Sequence, residues 1–265
     1  MKRLKTLLIV SLALCFAGVI LYSADQIQGI QADYDEEAEV HALLMRFSPN
    51  YVQQPAKTHE AEHEAGHTLT TEQTADADEA IVNQSVADLQ KEYLCAIGWL
   101  TVPNTKIDYP FAQYCDNSHY LYYDINGKKA AAGTIFVDCR CGKNFTSQNT
   151  ILYGHHMKNG SMFGTLKYFG NKAFFDENRY ATICLANATL TLEFFAYMIV
   201  NPDTEREIFN VELNDTYFDY VRQNARRYRD VGLTGGDMVV TLSTCAYEFD
   251  DARMALLARV ILSVN

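Results

Sequence analysis

The sequence predicts a mainly β domain carried on an acidic spacer behind a membrane segment, and three observations support that reading. From Tyr93 onward, short runs of β-branched and aromatic residues recur between turn signals, as in an all-β barrel or sandwich. Asp25 to Glu92 is acidic and poor in aromatics, and Leu7 to Ala24 is uncharged and apolar. A chain of 265 residues with 48% hydrophobic content can bury one full core, with little room for a second.

Taken in order, Lys2, Arg3 and Lys5 precede the apolar run, whose length spans roughly 27 Å as a helix, close to a bilayer's hydrocarbon thickness. Asp25, Asp33, Asp35 and Glu36 follow it, so the start is expected to stay cytoplasmic and the rest to lie outside. Small residues around Ser23 and Ala24 also fit a cleaved signal peptide, but the run is long for a signal core. Either way the domain is exported. The expected organisation is a single-pass membrane anchor at 1–24, an acidic, largely disordered stalk at 25–92, and a folded domain at 93–265.

Asp25 to Glu92 holds 15 acidic and 3 basic residues, whereas Tyr93 to Asn265 holds 18 and 16, so the net charge of -11 belongs to the stalk. A nearly neutral domain without a basic stripe excludes nucleic acid as a partner. Val40 to Phe47 is the apolar exception in the stalk and fits a short helix packed on the domain or near the membrane. The stalk also contains His59-Glu60-Ala61-Glu62-His63, a literal H-E-x-x-H. A zinc protease needs that helix held against a core, yet its surroundings are Thr, Glu, Ala and Gln, and the extended motif's third histidine is Leu69. Such a pattern arises readily by composition in a Glu- and His-rich tract, so no metal is expected.

Seven cysteines, at 15, 95, 115, 139, 141, 184 and 245, are an odd number without paired spacing, so at least one stays unpaired. Cys139-x-Cys141 is too close for a redox or zinc half-site and reads as buried strand thiols.

Strand candidates are Gly98 to Val102, Tyr120 to Asp124, Gly133 to Asp138, Thr150 to Gly154, Ala181 to Leu185, Thr189 to Val200, Met238 to Ser243 and Arg253 to Val264. Asn126-Gly127 and Gly235-Gly236-Asp237 are turn signals. Between Asn214 and Asp230, Tyr217, Phe218, Val221, Ala225 and Tyr228 recur at helical spacing, which predicts a helix whose arginines form a solvated face.

Val239-Val240-Thr241-Leu242-Ser243-Thr244-Cys245 is an apolar strand that delivers a thiol where the pattern turns polar. If it and Arg253 to Val264 are consecutive antiparallel strands, residues 245 and 253 face each other across the hairpin. Arg259 lies roughly 20 Å further along the second strand and cannot substitute. An always-protonated arginine suits the oxyanion of acyl transfer at a cysteine. The proton-transfer partner is sought among the histidines. Three lie in the stalk, His41 is near the membrane and His119 is in a polar loop, which leaves the pair His155 and His156 after Ile151-Leu152-Tyr153-Gly154.

Taken together, L-Y-G-H-H-M (Leu152 to Met157), S-M-F (Ser161 to Phe163), T-L-S-T-C and an arginine eight residues later resemble the class B sortases. Gly98 to Pro110 looks like that family's opening segment, and the resemblance covers about Tyr93 to Asn265. It implies a closed eight-stranded β-barrel with N-terminal helices and a long helix before the cysteine strand. It also implies a cysteine transpeptidase that cleaves a C-terminal Asn-Pro-x-Thr type sorting motif of secreted proteins. Through a thioester the cleaved protein passes to an amine of peptidoglycan or its lipid-linked precursor, at a Gram-positive-type cell surface and without a cofactor. His155 aligns with the family histidine, with His156 as neighbour, and Arg253 with the family arginine. Ser243, Thr244 and Tyr153 are carried as substrate-binding, while Ala246 stands where some members have an acidic residue. The competing readings are a secreted cysteine endopeptidase that releases free acid and a non-catalytic surface-binding barrel.

Overall fold

The computed structural model describes residues 2–49, 83–246 and 251–262. Eight strands close into a barrel: β1 (Ala96–Thr101), β2 (Asp108–Gln113), β3 (Ile135–Val137), β4 (Asn149–Tyr153), β5 (Tyr180–Leu185), β6 (Ala188–Val200), β8 (Val239–Cys245) and β9 (Arg253–Leu262). Their order is β5-β1-β2-β3-β4-β8-β9-β6, and residues 188–193 of β6 pair back onto β5, which closes the ring. A two-residue strand, β7 (Arg227–Tyr228), hangs on β6 outside the closed ring.

The barrel fills with large apolar side chains: Phe111, Phe163, Phe169, Phe175 and Phe194 are all essentially out of water. Each such burial contributes about 1.5–3 kcal/mol. Glu193, also buried, sits between two cations in the barrel wall: Arg179 Nε donates to its Oε1 at 2.7 Å, and Arg259 pairs with Oε2. Burial opposes its ionisation, but the two arginines win and hold its carboxyl below the usual range. Arg259 is therefore committed to the wall, as its distance from the thiol along β9 implied.

Three elements differ from expectation. Asp108–Gln113 is a central strand although Pro110 lies within it, and proline ordinarily demotes a run. Tyr120 to Asp124 is not a strand: His119–Leu121 forms a 3-10 turn, and only Tyr123 makes an isolated bridge, to Lys129. The helix expected over 214–230 is α4, Tyr217–Asn224. It stops because the chain turns extended at Ala225 and Arg226 N donates to the Tyr197 carbonyl at 2.9 Å, joining the edge of β6 instead.

Helix α1 (Lys2–Leu44) runs without a break past Ala24, and among the described residues no helix is long and apolar enough to cross a membrane. Its C-terminal part docks on the barrel. His41 Nε2 donates to the Asp108 carbonyl at 2.9 Å, and the Tyr109 hydroxyl donates to Glu37 at 3.0 Å. Leu44 and Phe47 join Val86 and Leu89 of helix α2 (Gln84–Glu92) over Trp99 in one apolar cluster. Packed structure thus includes residues ahead of Tyr93. The H-E-x-x-H tract lies outside the described residues, among which no cluster of three or more His, Cys, Asp or Glu side chains could hold a metal.

Candidate active site

Two strand pairings build the site at one end of the barrel. β8 and β9 are antiparallel with Cys245 directly opposite Arg253, and Ala246 N donates to the Ala252 carbonyl at 2.8 Å to close the hairpin end. β4 runs parallel to β8 with Tyr153 opposite Ser243, and Gly154 N continues the ladder onto the Ser243 carbonyl at 3.2 Å. Extending that register brings His155 alongside Cys245. Glycine at 154 lets Phe163 pack closely, since a Cβ there would stand 3.0 Å from its ring. Phe163 N in turn bonds the His155 carbonyl at 3.0 Å and fixes the turn that presents the histidine.

The polar geometry is specific. Arg253 Nη1 donates to Cys245 Sγ at 2.9 Å. His155 Nε2 lies 2.7 Å from the Leu121 carbonyl, which can only accept, so Nε2 carries the hydrogen and Nδ1 is the ring's other proton site. His156 Nδ1 by the same reasoning donates to the Cys245 carbonyl at 2.9 Å. The two adjacent histidines are thereby held by different partners, one to the loop after β2, the other to the backbone of the nucleophile strand. Cys245, His155 and Arg253 are each partly exposed.

A cleft beside the thiol is lined by Tyr153 and Arg253 together with Arg140, Arg206, Phe209 and Asn210. Ser243 and Thr244, on opposite faces of β8, are buried, and their hydroxyls have no hydrogen-bond partner among the described residues. Tyr153 turns its hydroxyl away onto Asp138 Oδ2 at 3.1 Å and leaves its ring to the cleft; burial and the Asp138 charge both push the phenol's pKa up. Leu121, Asp138, Arg140 and Phe209 were not singled out in the sequence. Only the i, i+2 acid-arginine pair at 138 and 140 offers a local signal, and the two cysteines beside it drew attention elsewhere.

No family model matches the chain. The sortase B of Listeria monocytogenes is 34% identical over 187 residues, which cover 68% of this chain and 75% of that protein. The chain belongs to the sortase B family. It is accordingly a cysteine transpeptidase of the sortase type, as the sequence resemblance implied. Sortase B of Clostridium perfringens superposes with a TM-score of 0.62 at 30% identity, covering 66% of this chain and 98% of that one. A Staphylococcus aureus sortase B-substrate complex matches with a TM-score of 0.63 at 25% identity, over 69% of this chain and 87% of that one. The closed mainly β barrel expected for the family is the fold observed.

Proposed function

We propose that this sortase uses Cys245 as nucleophile, His155 as proton carrier and Arg253 as oxyanion donor to cleave an Asn-Pro-x-Thr type sorting signal and join it to a cell-wall amine. The observation that carries this reading is the Arg253 hydrogen bond to the Cys245 sulfur at 2.9 Å, with Arg253 also lining the adjoining cleft. Cys245 Sγ attacks the threonine carbonyl carbon, and its proton passes to His155 Nδ1 and on to the leaving amine. The guanidinium beside the sulfur stabilises the oxyanion, the C–N bond breaks, and a thioester remains. The incoming amine of peptidoglycan or its lipid-linked precursor gives its proton to His155 as it displaces the sulfur. Tyr153 supports the peptide at the cleft wall, with Ser243 beside it on the paired strand and Thr244 as the next residue before the thiol, and an unpartnered hydroxyl there gains from a polar group of the substrate.

The test uses the full chain in detergent, because truncation at Tyr93 would strip α2, Leu44 and Phe47 from the barrel. Mass spectrometry with such a peptide and an amine is expected to find a thioester on the peptide containing Cys245, resolving to the amide. Free acid alone at saturating amine would favour the endopeptidase reading instead.

The first 24 residues act as the membrane anchor in this proposal, with the barrel and the helical segments docked on it on the outer face of the cell. The three cations before the apolar run support that orientation. Carbonate-washed membranes are expected to retain the full chain and release a chain that starts at Asp25; retention of both would remove the anchor.

A further inference from the structure

A second arginine reaches the cleft from the connection after β3, and its geometry is built rather than incidental. Asp138 is fully buried, and its Oδ1 accepts from Arg140 N and Nε, both at 2.9 Å, while Oδ2 accepts from Arg140 Nη2 at 2.7 Å. Gln113 Nε2 fixes the backbone of the same turn through the Asp138 and Cys141 carbonyls, each at 2.9 Å. Burial alone would raise the Asp138 pKa, but the bonds from Arg140 outweigh it and keep the carboxyl below the usual range. The guanidinium is gripped along its Nε and Nη2 edge, and Nη2 also donates to the Phe209 carbonyl at 2.9 Å on the opposite wall. Among the described residues Nη1 has no partner, although the side chain is 53% exposed in the cleft that Tyr153 and Arg253 share.

A clamped guanidinium with one bare nitrogen is a preorganised donor, since its ordering entropy is already spent on the clamp. Asp138 neutralises its charge, so it favours a neutral carbonyl oxygen over a carboxylate. We infer that Arg140 is a specificity-determining contact of this cleft, donating from Nη1 to a carbonyl or side-chain amide oxygen of the bound peptide, with Asp138 as its positioning residue. The inference rests on the reading that the cleft takes the sorting peptide. The same carboxylate receives the Tyr153 hydroxyl, so one buried acid sets two cleft side chains at once.

The test is steady-state kinetics of the full chain in detergent with an Asn-Pro-x-Thr-type peptide and a saturating amine. Arg140→Gln is expected to raise KM about 10-fold and leave kcat within about 3-fold, the signature of a lost ground-state hydrogen bond. Asp138→Asn is expected to raise KM similarly although the arginine remains, and Arg140→Lys is not expected to rescue, because an ammonium cannot be held by one edge and donate from another. Repeating Arg140→Gln with the peptide's asparagine changed to alanine locates the contact. A vanished penalty assigns it to the side-chain amide and a persistent one to a backbone carbonyl, and both support the inference. The rate of Cys245 alkylation by iodoacetamide separates contact from collapse of the wall: it should be unchanged in Arg140→Gln, and a fall matching the KM change would reduce the arginine to holding Phe209. Unchanged KM with a wild type that turns over the peptide would overturn the inference and leave the transpeptidase reading intact. A wild type inert towards every such peptide would take both down.

Discussion

His155→Asn is expected to cost this enzyme as much as loss of the thiol itself, on the order of 10⁴-fold or more in kcat/KM for amide formation. The reason is that nucleophile and proton carrier act as a unit: without a titratable group the leaving amine departs unprotonated and the incoming amine keeps its proton. Asparagine is too short to keep the bond that His155 Nε2 makes to the Leu121 carbonyl at 2.7 Å, so that contact is lost together with proton transfer, and thermal unfolding checks that the barrel survives. His156→Asn provides the contrast. Its Nδ1 bonds the Cys245 carbonyl at 2.9 Å, and an asparagine amide nitrogen can occupy nearly the same position, so a loss of at most about 10-fold is expected, the scale of one hydrogen bond. The comparison is made by product formation with Cys245→Ala as the blank. A dead His156→Asn beside an active His155→Asn would move the proton-transfer role by one residue.

Arg253→Ala is expected to lower kcat by about 10²–10³-fold, the usual loss when one oxyanion donor is removed. The effect should fall on kcat more than on KM, because the negative oxygen exists only near the transition state. Arg253→Lys should recover part of the rate, since the charge stays near the sulfur but the planar fork does not. Folding should survive both changes: residue 253 keeps its backbone pairing to Cys245 on one side and Val200 on the other. Thermal unfolding checks that point, and single-turnover thioester formation checks the kinetics. A raised KM with unchanged kcat would recast Arg253 as a peptide anchor.

The nucleophile hairpin was legible because it is local. An apolar strand ending in Cys245, a short polar connection and an arginine eight residues on can be paired without knowing the rest of the barrel, and the observed register sets 245 opposite 253. His155 was reached by elimination among seven histidines and by family resemblance. Only the parallel pairing of β4 with β8 sets its strand beside that of Cys245, and that pairing joins distant parts of the chain. Local pattern misled where another element claimed the residues. Tyr228 fits a helical stripe with Val221, yet the edge of β6 offered Arg227 and Tyr228 backbone partners, so α4 ends at Asn224. Pro110 hid a strand that flanking strands hold on both sides. The docking of Val40 to Phe47 on the barrel, open from sequence, is decided by the apolar surface around Trp99.

By itself the sequence determined the fold class, the strand that ends in Cys245 and its facing arginine, and the nearly neutral charge of the domain, because these depend on periodicity, short loops and composition. Tertiary structure alone decided the tautomer of His155 through the Leu121 carbonyl and the clamp of Arg140 by buried Asp138. Those depend on which backbone carbonyls and carboxylates closure of the barrel strips of water, which the i, i+2 spacing of Asp138 and Arg140 does not reveal.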